Sequence, residues 1–166
     1  MKGDHLKTYL DIETTGLSKY ANMITVIGVY NRKETIQLIE GISLTEERLK
    51  DIIENTKKIV TFNGKRFDIP FLAHKYPNIN FECLEHHDLM YSCWKLGWKG
   101  GQKAVERMLN LSRDSGITSG YEAVRLWKRY KNGCEESLEK LLQYNKEDIV
   151  NLSHIDKVIE ERNKEN

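Results

Sequence analysis

Between Glu135 and Glu161 apolar residues recur at helical spacing, and Leu141, Leu152, Ile155 and Ile159 fall on one stripe. Asp148 falls on the same stripe, about 20° from Leu141 at about 100° per residue. Tyr144 precedes it by one turn, on the flank. An ionised carboxylate that faces a core must be ion-paired, neutralised or bound to metal. The fold must therefore bring compensating groups to Asp148. At this point the compensation is either one of the chain's many Lys and Arg residues or a cation shared with other carboxylates.

Other acids stand where such sharing is possible. His5 to Ile12 reads as a strand rich in Leu, Thr, Tyr and Ile, and Thr14-Thr15-Gly16 ends it. Strand alternation puts Asp11 and Glu13 on one face, roughly 7 Å apart, near the strand's C-terminal end. Ligands of open α/β sheets bind at that edge, and paired carboxylates there suit hard divalent cations. The bland alternative is a polar strand end in water. Lys58 to Phe62 reads as a short central strand parallel to the first. Asn63-Gly64 turns it and offers backbone N–H groups to a phosphate. Asp68 follows, at the same sheet edge or simply as an acid at a helix N-terminus. Phe67 and Phe71 offer faces for core packing or base stacking.

The remaining pattern fills in one architecture. Met23 to Tyr30 and Glu34 to Ile39 extend an antiparallel meander through the turn Asn31-Arg32-Lys33. Ser43-Leu44-Thr45-Glu46 reads as a capping box before a helix. Phe67 to His74 is helical with Pro70 in its first turn, and Glu85 to Leu89 is an edge strand. Gln102 to Asn110, Gly120 to Tyr130 and Glu135 to Glu161 are helices, and the polar tail after Glu160 frays. The sum is a single α/β domain over residues 1–166, with a mixed central sheet of about five strands flanked by helices in three layers.

Composition excludes several classes. At 166 residues, 39% hydrophobic and 31% charged, the chain has the profile of an ordinary globular domain. No apolar run nears the roughly 20 residues that span a bilayer, and no signal-peptide pattern opens it. Cys83, Cys93 and Cys134 are odd in number and lack CxxC spacing, which predicts a reducing, cytoplasmic setting. Net charge is only +1, yet from Lys95 to Lys131 nine Lys and Arg face three acids. That excess suits a polyanion, or is merely a solvated face. Trp94, Lys95, Trp98, Lys99 and Lys103 interleave aromatics with cations, useful for single strands or for packing. Asp88 ends the edge strand near the site. Cys83, His86, His87 and Cys93 match no common zinc module.

Taken in order, these motifs resemble the DEDD 3′–5′ exonuclease superfamily, in its Tyr-containing DEDDy branch. Asp11 and Glu13 match the first motif, Asp68 the second, and Tyr144 with Asp148 the third. Residues 60–70 also resemble the proofreading domain of family B DNA polymerases. Gly120-Tyr121-Glu122-Ala123, Trp127, Tyr130, Gly133 and Tyr144-Asn145 resemble YprB-like ribonuclease-H-like domains. The resemblance spans about residues 6–155 and implies a ribonuclease-H-like fold. It implies that Asp11, Glu13, Asp68 and Asp148 hold two Mg²⁺ or Mn²⁺ ions about 4 Å apart, and that Tyr144 orients the attacking water. The implied reaction is 3′–5′ hydrolysis of single-stranded DNA or RNA ends, releasing nucleoside 5′-monophosphates. Thr14, Thr15, Leu17, Asn63 and Phe67 are then the residues expected at the terminal nucleotide. The His-containing branch has its histidine where this chain has Asn145, so His154 reads as structural. The implied partner is single-stranded nucleic acid, with a protein partner to help supply it; a membrane is not implied. Two other readings share the residues: a structure-selective endoribonuclease, and a nucleic-acid-binding module without turnover.

Overall fold

The computed structural model describes residues 7–165. His5 and Leu6, at the start of the expected first strand, lie outside the described residues. Strand β1 runs Lys7–Thr14, β2 Ile24–Tyr30 and β3 Thr35–Ile39. Helix α1 (Glu46–Glu54) leads to β4 (Lys58–Thr61), and α2 (Asp68–Lys75) leads through a short 3₁₀ turn at Phe81–Cys83 to β5 (Glu85–Asp88). Four helices follow: α3 (Leu89–Lys95), α4 (Gln102–Met108), α5 (Gly120–Lys131) and α6 (Glu135–Glu165).

The sheet order is β3-β2-β1-β4-β5. The first three strands form the expected antiparallel meander, while β4 and β5 add to it in parallel. Strand alternation splits β1 between two cores. Leu10 and Ile12 join Leu49, Ile53, Phe71 and Leu72 under α1 and α2. Tyr9 faces the other way, among Val60, Leu89, Val105, Leu152 and Ile155. A third cluster seats Trp127 of α5 against Leu138, Leu141 and Tyr144 of α6. The three-layer α/β arrangement expected from the sequence is the one present, with a mixed sheet of five strands.

Three local readings change. Helix α1 is capped by Thr45, whose Oγ1 accepts from Arg48 N at 3.3 Å. Ser43 Oγ instead accepts from Ile39 N at 3.0 Å and closes the turn out of β3. Helix α3 went unread because Asp88 ends β5 and at once caps α3, accepting from Met90 N at 3.2 Å. With no linker, and only Leu-Met-Tyr-Ser-Cys-Trp-Lys to form it, the segment shows no helical period. The C-terminal tail does not fray where expected: α6 continues to Glu165, and the Arg162 guanidinium lies 5.1 Å from the Trp98 ring centre. None of the described helices is long and apolar enough to cross a membrane.

A buried polar joint fixes α6 on β1 at the end remote from Glu13. Asp156, fully buried, accepts from Lys7 Nζ at 2.8 Å and from Tyr9 Oη at 2.9 Å through Oδ2. Its Oδ1 has no hydrogen-bond partner and faces His87 Nδ1 at 3.6 Å. Arg32 Nη2 donates to the same Tyr9 oxygen at 2.9 Å. Truncating one member of such a joint strands the others in the core. Asp156→Ala is expected to cost about 3 kcal/mol in urea unfolding; a loss below about 1 kcal/mol would show that apolar packing alone seats the helix.

Candidate active site

The face of β1 that α6 covers carries Tyr9, then Asp11, then Glu13. Asp11, Glu13 and Asp148 each present a carboxylate oxygen, and the three oxygens lie within 4.8 Å of one another. Glu13 and Asp148 are buried and Asp11 is half-buried. They open on a cavity of about 670 Å³ that all ten residues expected from the sequence line: Asp11, Glu13, Thr14, Thr15, Leu17, Asn63, Phe67, Asp68, Tyr144 and Asp148. Asp68 stands apart from the trio. It begins α2, and its Oδ1 accepts from Ile12 N at 3.1 Å, which ties that helix to β1.

Crowding like charges away from water raises their proton affinity. Burial, then the charges of Asp148 and its neighbours, holds Asp11 and Glu13 well above the ordinary carboxylate range. Burial likewise pushes Asp68 up to about 7, against the pull of the Ile12 N–H. Asp148 is raised by burial and pulled back by Lys103 and Arg113. Tyr144 is pushed far up, first by burial and then by Asp148. Its phenol is therefore neutral at any physiological pH.

Of the two alternatives for Asp148, the ion pair is present, and two other acids stand beside it. Arg113 Nη2 bonds Asp148 Oδ1, while Arg113 Nε and Nη2 bind Glu106 at 2.5 and 2.7 Å. Lys103 Nζ lies 3.6 Å from the same Asp148 oxygen and donates to Tyr144 Oη at 2.6 Å. The same carboxylate nonetheless faces Asp11 and Glu13. Sequence reasoning counted Arg113 only within a basic stretch. Nothing in its neighbours' spacing marks it, because it sits between helices.

Asn145 and Gly28 were also missed in role. Asn145 Nδ2 donates to Asp11 Oδ2 at 3.1 Å, and Gln37 Nε2 donates to Asn145 Oδ1 at 2.9 Å. Gly28 is the β2 partner of Asp11 in the sheet register. A Cβ at Gly28 would meet Asn145 Oδ1 at 2.1 Å, so the missing side chain makes room for this bracket. A lone glycine inside a strand is the available signal of such close approach.

Other expectations resolve individually. Asp88 is buried and accepts from Asn63 N at 2.7 Å and Lys65 N at 3.0 Å, so it braces the turn before Asp68. The Asn63 N–H is thereby taken and does not await a phosphate; Asn63 itself adopts φ 62°. Thr14 Oγ1 donates to Gly16 O at 2.7 Å, and Thr15 Oγ1 accepts from Met23 N at 3.0 Å. Both hydroxyls shape the loop that projects Leu17, which is 87% exposed. Phe67 packs on Phe71 with ring centres 5.4 Å apart. Cys83, His86, His87 and Cys93 form no metal-binding group among the described residues. Trp98 packs against the core, while Trp94 stays 45% exposed beside Tyr91, away from the cavity. His154, on α6, is exposed and outside the cavity.

Residues 8–160 match the RNase_H superfamily. The chain belongs to that superfamily. Among solved structures with the RNase H-like fold, the family B DNA polymerase of the hyperthermophilic archaeon Pyrobaculum calidifontis aligns with TM-score 0.73 at 13% identity over 92% of this chain. The aligned part is 24% of that polymerase, so this chain spans about a quarter of its length. NrnC from Brucella melitensis aligns over 98% of this chain and 76% of its own, with TM-score 0.61 at 16% identity in its form with bound Mg²⁺. Its form bound to pGG gives TM-score 0.64 at 17% identity, with the same coverage of both chains. No curated protein matches the sequence. The superfamily resemblance carried by the acidic motifs is thus borne out, and with it a nuclease fold.

The residues fit a hard divalent cation. Three carboxylates converge, and Glu13 Oε1 is buried with no hydrogen-bond partner. An oxygen-only donor set of this charge suits Mg²⁺ or Mn²⁺. Two outcomes test the geometry. Gly28→Ala forces Asn145 off Asp11 and is expected to cost about 1–3 kcal/mol by urea unfolding; an unchanged midpoint would mean the bracket is slack. The second concerns pH. A carboxylate whose folded pKa is raised contributes stability below its unfolded value and loses it as pH rises through the folded value. With Asp68 near 7, wild type in chelator is expected to lose melting temperature relative to Asp68→Asn between about pH 4 and pH 7. Mn²⁺ is expected to remove that difference in slope, and parallel curves in chelator would refute the crowding.

Proposed function

We propose that this chain is a metal-dependent 3′–5′ exonuclease of the DEDDy type that hydrolyses single-stranded DNA or RNA ends to nucleoside 5′-monophosphates. The observation that carries the reading is the convergence of Asp11, Glu13 and Asp148 beside Tyr144 at the floor of one cavity. Likeness to the Mg²⁺-bound and pGG-bound forms of NrnC supports the choice of cation and of a single-stranded substrate. Asp11, Glu13 and Asp148, with Asp68 from the cavity wall, are the residues that would hold two Mg²⁺ or Mn²⁺ ions. Such ions activate a water and stabilise the leaving oxygen and the transition-state charge.

The chain's own groups then have defined tasks. Tyr144 Oη accepts from Lys103, which leaves its hydrogen free to donate to the attacking water. Its raised proton affinity rules it out as a general base at neutral pH. Asn145 fixes Asp11 against Gln37, so the carboxylate meets the substrate in one orientation. Lys103 and Arg113 stand behind Asp148, where their charge also offsets that of an incoming phosphate. Leu17 at the mouth offers apolar surface to the terminal base.

A labelled oligonucleotide decides the matter. Incubated with Mn²⁺, a 5′-labelled single strand is expected to shorten stepwise, and a 3′-labelled one to release labelled mononucleotide at once. Asp148→Asn is expected to slow this by at least about a hundredfold, the upper end of what losing a ligand's outer partner costs. A circular strand is expected to resist. Cutting of the circle would establish an endonuclease instead, and tight binding without cleavage of either form would establish a binding module.

A further inference from the structure

One side of the cavity of about 670 Å³ is formed by a face of α5. Gly120, Tyr121 and Val124 line the cavity from that helix. At about 100° per residue the same stripe continues through Lys128 and Lys131. These lysines stand about 10 Å and about 15 Å beyond Tyr121 along the axis. Ala123 and Trp127 are the buried residues of the helix, and Trp127 adjoins the stripe next to Lys131. Tyr121 is 72% exposed at the first turn of the helix, so its ring is accessible to a base.

The charges on the stripe are uncompensated. Glu122, the helix's one acid, lies on the far flank and accepts from Thr118 Oγ1 at 2.8 Å. Lys128 is exposed and makes no ion pair among the described residues. Lys131 lies 5.9 Å from the Trp127 ring centre, which steadies it on the helix surface. Exposed Glu135, Glu136 and Glu139 begin the neighbouring α6, yet neither lysine pairs with them. An exposed ring followed by cations at helical spacing is the combination that holds a single strand, the ring taking a base and the cations its phosphates. Of the other aromatic and cationic set, Trp94, Lys95, Trp98, Lys99 and Lys103, only Lys103 lines the cavity.

We propose that α5 is the track for the strand upstream of the cut: Tyr121 stacks on a base at the mouth, and Lys128 and Lys131 contact the phosphates beyond. This rests on the exonuclease reading for its substrate class, and it makes the protein favour strands longer than the cavity holds.

The test is fluorescence anisotropy of a 5′-fluorescein oligothymidylate dodecamer and dinucleotide, in chelator, across a salt series. The dodecamer is expected to bind on the order of tenfold tighter than the dinucleotide. Lys128→Gln with Lys131→Gln is expected to erase that advantage and flatten the salt slope by about 1.4. Lys128→Gln alone, which leaves the Trp127 contact intact, is expected to flatten it by about 0.7. Tyr121→Ala is expected to weaken the dodecamer on the order of tenfold at unchanged slope. Equal affinity for both lengths, or a slope untouched by either lysine change, overturns the track. Nothing is cut in chelator, so the outcome is separate from the reaction. Shortening of strands with the lysines silent removes the track alone, and track binding without shortening in Mn²⁺ removes the exonuclease alone.

Discussion

Mutual repulsion among Asp11, Glu13 and Asp148 is the constraint around which this fold is arranged. Three carboxylate oxygens within 4.8 Å, two of the groups buried, are brought together by the packing of α6 on β1. That packing is strong on both sides of the trio. Leu152, Ile155 and Ile159 seat the helix beyond Asp148, and Leu138 and Leu141 seat it before Tyr144. The Asp156 joint with Lys7 and Tyr9 adds polar restraint at one end, and Asn145 brackets Asp11 in the middle. The apolar contacts supply the free energy; the polar ones set the register.

The counter-charges have a double character. Arg113 is shared between Glu106 and Asp148, so it is anchored on one acid while it neutralises another. Lys103 touches Tyr144 and approaches Asp148. Both offset the charge of the acidic cluster, and Lys103 also lines the cavity. A divalent ion at such a site would exchange one form of compensation for another, rather than fill a void of bare charge. Along this stretch of α6, Asn145, Glu147 and Asp148 each have a partner.

Much of this was readable from residue order. The strand alternation of Asp11 and Glu13, and the stripe that carries Asp148, follow from periods of two and 3.6, which local sequence displays. The parallel placement of β4 carried Asp68 to the same edge, and all ten expected residues do line one cavity. What escaped was set by tertiary distance. Arg113 reaches Asp148 across 35 positions from a segment without period, and Gln37 reaches Asn145 across 108. Gly28 could have been suspected, but only the approach of Asn145 gives its absent side chain a reason. The Asn63 amide was assigned to a phosphate because its partner, Asp88, lies on another strand. Helix α3 was hidden by its abrupt start, one residue serving as strand end and cap.

Anomalous diffraction from a manganese-soaked crystal tests the central claim most directly. Density is expected between the carboxylates of Asp11, Glu13 and Asp148, with Arg113 drawn back toward Glu106. An empty cluster with the Arg113–Asp148 pair intact at saturating manganese would mean that the acids form a structural ion-pair network, and that the proposed chemistry has no place in this cavity.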